Sequence, residues 1–131
     1  MEQTSDEHIA RALYQALDGQ RTHALAAFLD DASLLHVSGE SGLAGDYQGQ
    51  EAILGLLRRM GELTGGTLRY GESSMTADAG GAVVLQGRVA AGRRGRRLKA
   101  TARIAVTLED GVLREIRLAY LDQSAFDGFW S

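Results

Sequence analysis

The chain has 131 residues, 44% hydrophobic and 24% charged, with a formal net charge of −3. That length suits one domain, residues 1–131, with a core of its own, and the mild acidity excludes a global positive field for nucleic acid or anionic lipid. Cysteine is absent, which removes disulfides, thiol chemistry and thiolate-ligated metals.

The opening residues, MEQTSDEHIARAL, are polar and acidic, unlike a signal peptide. No apolar run approaches the roughly 20 residues that cross a bilayer, so a cytoplasmic protein with no membrane partner is expected. Thr4 and Glu7 fit a capping box. Ile9, Ala12, Leu13, Ala16 and Leu17 follow at helical spacing until Gly19. A second short helix is predicted over residues 21–29, with Leu25, Phe28 and Leu29 on its buried side. Asp30 and Asp31 oppose the helix dipole and end it.

Residues 33–37 read as a short strand and residues 39–49 as a glycine-rich loop. The spacing of Ala52, Ile53, Leu56, Leu57, Met60 and Leu63 predicts a helix over Gln50–Leu63, stopped by Gly65 and Gly66. From Thr67 the hydrophobic period falls to two. Strands are predicted over residues 67–75, 82–90, 98–108 and 112–122, joined by ADAGG, AGRRGRR and EDG, the last a good hairpin signal. Leu98, Ala100, Ala102, Ile104, Val106 and Leu108 share one face of the third of these strands. Ile116, Leu118, Tyr120 and Asp122 share one face of the last. The tail SAFDGFWS is short, aromatic and packed on the body.

This order gives an α+β fold: a curved, mostly antiparallel sheet wrapped by three helices, a conical barrel with an internal pocket. The face left uncovered presents Gln86, Arg88, Thr101 and Arg103, either to solvent or to a second copy.

The motifs AAFLDD (26–31), HVSG (36–39), LAGDYQGQEAI (43–53), LTGGT (63–67) and YLDQSAFDGFW (120–130) together span nearly the whole chain. In them the sequence resembles the SnoaL-like branch of the nuclear transport factor 2-like superfamily. The resemblance implies a conical α+β barrel and a homodimer through the outer sheet face. Members of the family include polyketide cyclases, ketosteroid-isomerase-like proteins, epoxide hydrolases and dehydratases. Leu35 and Ser38 stand where relatives often carry Trp and Pro. His36 and Val37 stand where ketosteroid isomerases place an aspartate base. Thr101 and Ala105 flank Arg103 where an Asp–Arg–Asp set would need an aspartate. The SnoaL cyclases use an acidic residue as acid–base catalyst, and Asp122 is the local candidate.

Histidine can take or give a proton near neutrality, which makes His36 a candidate acid–base group. It points into the cavity if Leu34 shares its face inward, and away if Leu35 and Val37 face inward. An inward Asp122 in an apolar cavity would suit proton transfer, whereas an N-cap for the tail is its structural alternative. Tyr47 and Tyr120 are candidate donors to an oxygen gaining charge. Tyr14, Leu57, Met60 and Trp130 are candidate substrate-binding residues. Arg93, Arg94, Arg96 and Arg97 read as a solvated hairpin tip. The glycine-rich stretch lacks a nucleotide-loop pattern, and His8, His23 and His36 are too scattered for zinc. The expected activity is cofactor-free proton transfer on an apolar carbonyl or polyketide-like small molecule, as a cyclase, isomerase or dehydratase. The alternative is a non-catalytic ligand-binding or dimerisation module.

Overall fold

A computed structural model describes residues 6–77 and 82–130. Its elements run α1 (Asp6–Ala16), α2 (Thr22–Ala26), β1 (Leu34–Val37), β2 (Gly45–Gln48), α3 (Gln50–Leu63), β3 (Arg69–Ala77), β4 (Val83–Arg93), β5 (Arg96–Glu109), β6 (Val112–Tyr120) and α4 (Gln123–Trp130). The strands form one six-stranded sheet in the order β2-β1-β6-β5-β4-β3. Only the β1–β6 pair is parallel; the others are antiparallel. The architecture is the expected α+β one, with a fourth helix in place of an irregular tail.

Two tight turns set the register of the long strands. Arg93 pairs with Arg96 and Glu109 with Val112, so Arg94–Gly95 and Asp110–Gly111 are two-residue loops. All four loop residues have positive φ, between 50° and 79°. This is the primed turn whose twist matches a right-twisted hairpin. The long AGRRGRR loop expected from sequence therefore shrinks to two residues, and β4 and β5 extend through the rest of it.

Alternation then sorts the side chains. Leu98, Ala102, Ile104 and Val106 of β5 are buried, as are Leu113, Ile116, Leu118 and Tyr120 of β6. The helices close over this face. Ile9, Leu13 and Ala16 from α1 and Ile53, Leu57 and Met60 from α3 complete one apolar core. Contact of α1's end with α3 requires Gly19: its φ is +85°, and a Cβ there would lie 2.5 Å from the Leu57 carbonyl oxygen.

Three expectations change. β2 lies inside what reads as a glycine-rich loop. The second helix is shorter than its sequence window. Leu57, Met60 and Trp130, expected to line an internal pocket, are at most 4% exposed and belong to the apolar core together with Phe126 and Phe129 of α4. The capping-box residue Thr4 and the turn at residues 78–81 lie outside the described residues.

Candidate functional site

β1 settles the direction of His36. Leu35 and Val37 are buried, while Leu34 and His36 turn outward. The imidazole lies on the open face of the sheet. Its Nδ1 is 2.5 Å from Asp46 Oδ1, and its Nε2 is 3.9 Å from Glu115 Oε1. Arg117 closes the row at 2.7 Å from Glu115. His36 is thus one rung of a polar ladder across β2, β1 and β6, and of the two directions open to it from sequence it takes the one away from the core.

Asp122 also faces solvent. β6 ends at Tyr120, and the chain bends before α4. Asp122 Oδ1 accepts from the Ala125 N–H at 3.1 Å, and its backbone carbonyl accepts from Phe126 N–H at 3.2 Å. It caps α4, satisfying a donor that the first turn of a helix leaves orphaned. His36 and Asp122 are not brought together.

The tyrosines divide. Tyr47 donates to the Leu43 carbonyl at 2.8 Å and staples its own loop. Tyr14 donates to the Gly71 carbonyl at 2.6 Å, beside the irregularity in β3 pairing between Tyr70 and Ser73. Tyr120 shares a 2.6 Å hydroxyl–hydroxyl bond with Tyr70, a residue not singled out from sequence. Burial pushes the hydroxyls of Tyr70 and Tyr120 well above the ordinary phenol range, so both remain neutral donors. An aromatic row runs on from this pair. Tyr120 stacks on Phe126 at 3.8 Å, and Phe126 meets Trp130 edge-on at 6.1 Å. The Trp130 indole N–H is buried without a hydrogen-bond partner among the described residues.

The family-like motif HVSG latches α4 to β1. Ser38 Oγ donates to Gln123 Oε1 at 2.5 Å, Gln123 Nε2 donates to Asp127 Oδ1 at 3.2 Å, and Ser41 N–H donates to the same oxygen at 3.3 Å. The arginine-rich hairpin tip holds the other end. Arg93 and Arg96 donate to the carbonyls of Phe129 and Gly128 at 3.3 and 2.9 Å. Cations there suit the negative end of the helix dipole. The cluster is therefore in part structural, where sequence reads it as a solvated tip.

The open face carries a cleft of about 860 Å³ at its β3–β5 end. Ala90 gives it an apolar floor and Leu121 an apolar wall, with only the backbone of Val89 and Ala100 reaching it; Arg69, Arg88, Lys99, Thr101 and Asp122 supply its polar groups. The register explains the assembly: Arg69 pairs with Ala90 and Ala90 with Lys99, while Arg88 pairs with Thr101, so outward side chains from three strands form adjacent rows. Leu121 N–H donates to the Thr101 carbonyl at 3.0 Å, which sets the post-β6 bend against β5 as one wall. Leu121 is the exposed large hydrophobic residue of the described chain, at 67%. Asp122 forms no ion pair within 4.0 Å with the three cations, since none of them has a salt bridge or side-chain hydrogen bond among the described residues. No group of three or more metal-ligating side chains is present among the described residues, and no helix there is long and apolar enough to cross a membrane.

With this fold and this surface, the class of protein is defined: the chain belongs to the family described as the SnoaL-like domain, which residues 10–116 match. Among solved structures, it is similar to Bal32a from a soil-derived mobile gene cassette, with 30% identity, 95% of this chain and 98% of that chain covered, and a TM-score of 0.86. A protein with a cystatin-like fold from Xanthomonas campestris is 23% identical, with 94% and 95% covered and a TM-score of 0.84. An NTF2-like protein from Burkholderia xenovorans LB400 is 20% identical, with 98% and 100% covered and a TM-score of 0.79. A comparison with curated proteins finds no match.

Proposed function

We propose that the chain is a small-molecule enzyme of the cyclase or isomerase type, working at the open-face cleft rather than in the core. The observation that carries this reading is the joint presence, in one 860 Å³ cleft, of a carboxylate, three cations and an apolar floor. Such a volume suits a drug-sized ligand. The cleft brings together the two groups that enolisation of a carbonyl compound needs. A base removes the proton next to the carbonyl, and a positive group steadies the oxygen that gains charge. Asp122 is the base in this reading; its Oδ1 holds α4, which fixes the carboxylate while its second oxygen stays available. Lys99 and Arg88 are the electrostatic partners. Asp122 forms no salt bridge with either cation among the described residues, so neither cation neutralises the base in this reading. His36, Tyr47 and Tyr14 take no part, and Tyr120 with Tyr70 supports the sheet beneath the cleft. The chemistry asks for no cofactor.

The test is deuterium uptake from D₂O at the α-carbon of phenylacetone, followed by NMR. Wild-type protein accelerates uptake; Asp122→Asn lowers it by about 10²- to 10⁴-fold while keeping the fold, because Asn also caps helices well. His36→Ala leaves it unchanged. Equal uptake with Asp122→Asn removes the proposed base, and binding without any acceleration leaves a ligand-binding module.

The exposure of Leu121 on this face favours a second reading, association with another copy through the same surface. Loss of a dimer on Leu121→Asp, seen by sedimentation, would support it.

A further inference from the structure

We infer that the tip of the β4–β5 hairpin and the end of α3 together form an anion site for a phosphate ester, a small molecule whose phosphoryl group sits among arginines. The inference concerns a different place from the proposed proton transfer and is independent of it.

The site is an open cleft of about 500 Å³. One wall is the hairpin, with Arg93, Arg94, Arg96 and Arg97; the other is the end of α3 at Thr64 and Gly65. No carboxylate lines it, although the chain carries a formal charge of −3. Thr67 rivets the two walls. Its hydroxyl oxygen lies 2.7 Å from the Thr64 carbonyl and 3.0 Å from the Gly92 carbonyl, within donating reach of both, and accepts the Gly92 N–H at 2.9 Å. The hairpin tip is fixed as well, since Arg94 and Gly95 form its two-residue loop with φ of 50° and 78°. The cleft is therefore built before any ligand arrives, which lowers the cost of binding.

The four arginines divide by duty. Arg93 and Arg96 donate to the carbonyls of Phe129 and Gly128, and that tie fixes where each guanidinium lies. Arg94 and Arg97 enter no ion pair and no side-chain hydrogen bond among the described residues, so holding α4 does not account for them. Arg94 moreover occupies a left-handed turn position that Asn, Asp or Gly would fill with less strain. Lone cations also stand elsewhere on the sheet, Arg103 among them; what sets these apart is their convergence on one braced concavity.

Guanidinium forks match phosphate oxygens in pairs. A phosphate monoester offers three oxygens and a charge of about −1.5 to −2, where a carboxylate offers two oxygens and one charge. Leu63 lines the cleft beside the arginines and gives the organic part of an ester an apolar contact. No aromatic ring lines it, so the stacking platform that a nucleic-acid strand uses is missing.

The test is a ¹⁵N NMR titration with phenyl phosphate, inorganic phosphate, benzoate and an oligouridylate at constant ionic strength. Wild-type protein binds phenyl phosphate most tightly, with shifts at the amides of Gly65, Gly92 and Gly95. Arg94→Gln and Arg97→Gln each weaken it by about 2- to 5-fold and leave the urea midpoint unchanged, because neither side chain holds the fold. Arg103→Gln leaves the affinity unchanged. An equal loss with Arg103→Gln overturns the local site and leaves only the general attraction of surface cations. Benzoate bound as tightly as phenyl phosphate overturns the phosphoryl preference, and inorganic phosphate bound as tightly overturns the ester. Tighter binding of the oligouridylate through the same two arginines overturns the small molecule and names a nucleic-acid strand. Absence of saturable binding by wild type overturns the site itself.

Discussion

The two ends of the open sheet face have different electrostatic designs. At the β1–β2 end, His36 lies between Asp46 and Glu115, and Arg117 pairs with Glu115. At the β3–β5 end, Arg69, Arg88 and Lys99 lie around Ala90 and contact no acid among the described residues. Both ends are solvent-facing rows of one sheet built by the same alternation. Charge matched within the chain is spent on holding strands together, a modest and screened contribution. Charge left unmatched around a concave apolar surface is available to something outside the chain. The histidine that stands out in the sequence sits in the first arrangement, and the proposed site in the second.

The sharpest way to break this comparison is a swap of bases. Asp122→Asn lowers phenylacetone exchange by about 10²-fold or more, and His36→Ala has no effect; the reverse ranking would move the site to the other end. Next comes the support under the cleft. Tyr70→Phe leaves the Tyr120 hydroxyl buried without its partner and costs about 1–3 kcal/mol in urea unfolding. Adding Tyr120→Phe returns part of that loss, because two matched phenyl rings leave no polar group stranded. An equal or larger loss in the double variant would show that the pair does more than satisfy itself.

Alkaline titration examines the same pair. Burial raises Tyr70 and Tyr120 above the unfolded phenol value of about 10. Their contribution to stability is therefore whole below about pH 10 and is lost as pH rises through the folded values. Tyrosinate absorbance should show Tyr14 and Tyr47 ionising first, with the remaining two released only on unfolding. Four tyrosines titrating together in the folded chain would contradict the buried pair. On the acid side, hydrogen bonds from Arg114 hold Asp30 below its usual value. That contribution is present above about pH 4 and falls away as pH drops through the lowered value, so Arg114→Gln should flatten the acid limb of the stability curve. The smallest effect belongs to the ladder. Asp46→Asn should cost about 1 kcal/mol or less, with no change in phenylacetone exchange.

Much of this fold was legible. The stripe from Ala52 to Leu63 marks α3 with its observed ends, because six apolar positions at helical spacing leave no competing period. Strands β4 to β6 follow from alternation and from glycine at the turns. β2 was hidden because Gly45, Asp46 and Gln48 are poor strand formers; it is an exposed edge strand, held by its pairing with β1 rather than by its own propensity. α4 was hidden because eight residues show too few turns for a period to register, and the Asp122 cap together with the Arg93 and Arg96 contacts does what periodicity cannot. The site was the least legible. Arg88 and Thr101 could be assigned to the uncovered face, but Arg69, Lys99 and Leu121 become their neighbours only once register is known. Alternation gives a residue its face, not its company.

The most direct test of the site's location is a ¹⁵N NMR titration with 8-anilinonaphthalene-1-sulfonate. The account predicts shifts concentrated at the amides of Arg88, Lys99, Thr101 and Leu121, with those of His36, Asp46 and Arg117 unmoved. Shifts centred on the His36 ladder or spread through the α1–α4 core, with the β3–β5 end silent, would contradict it.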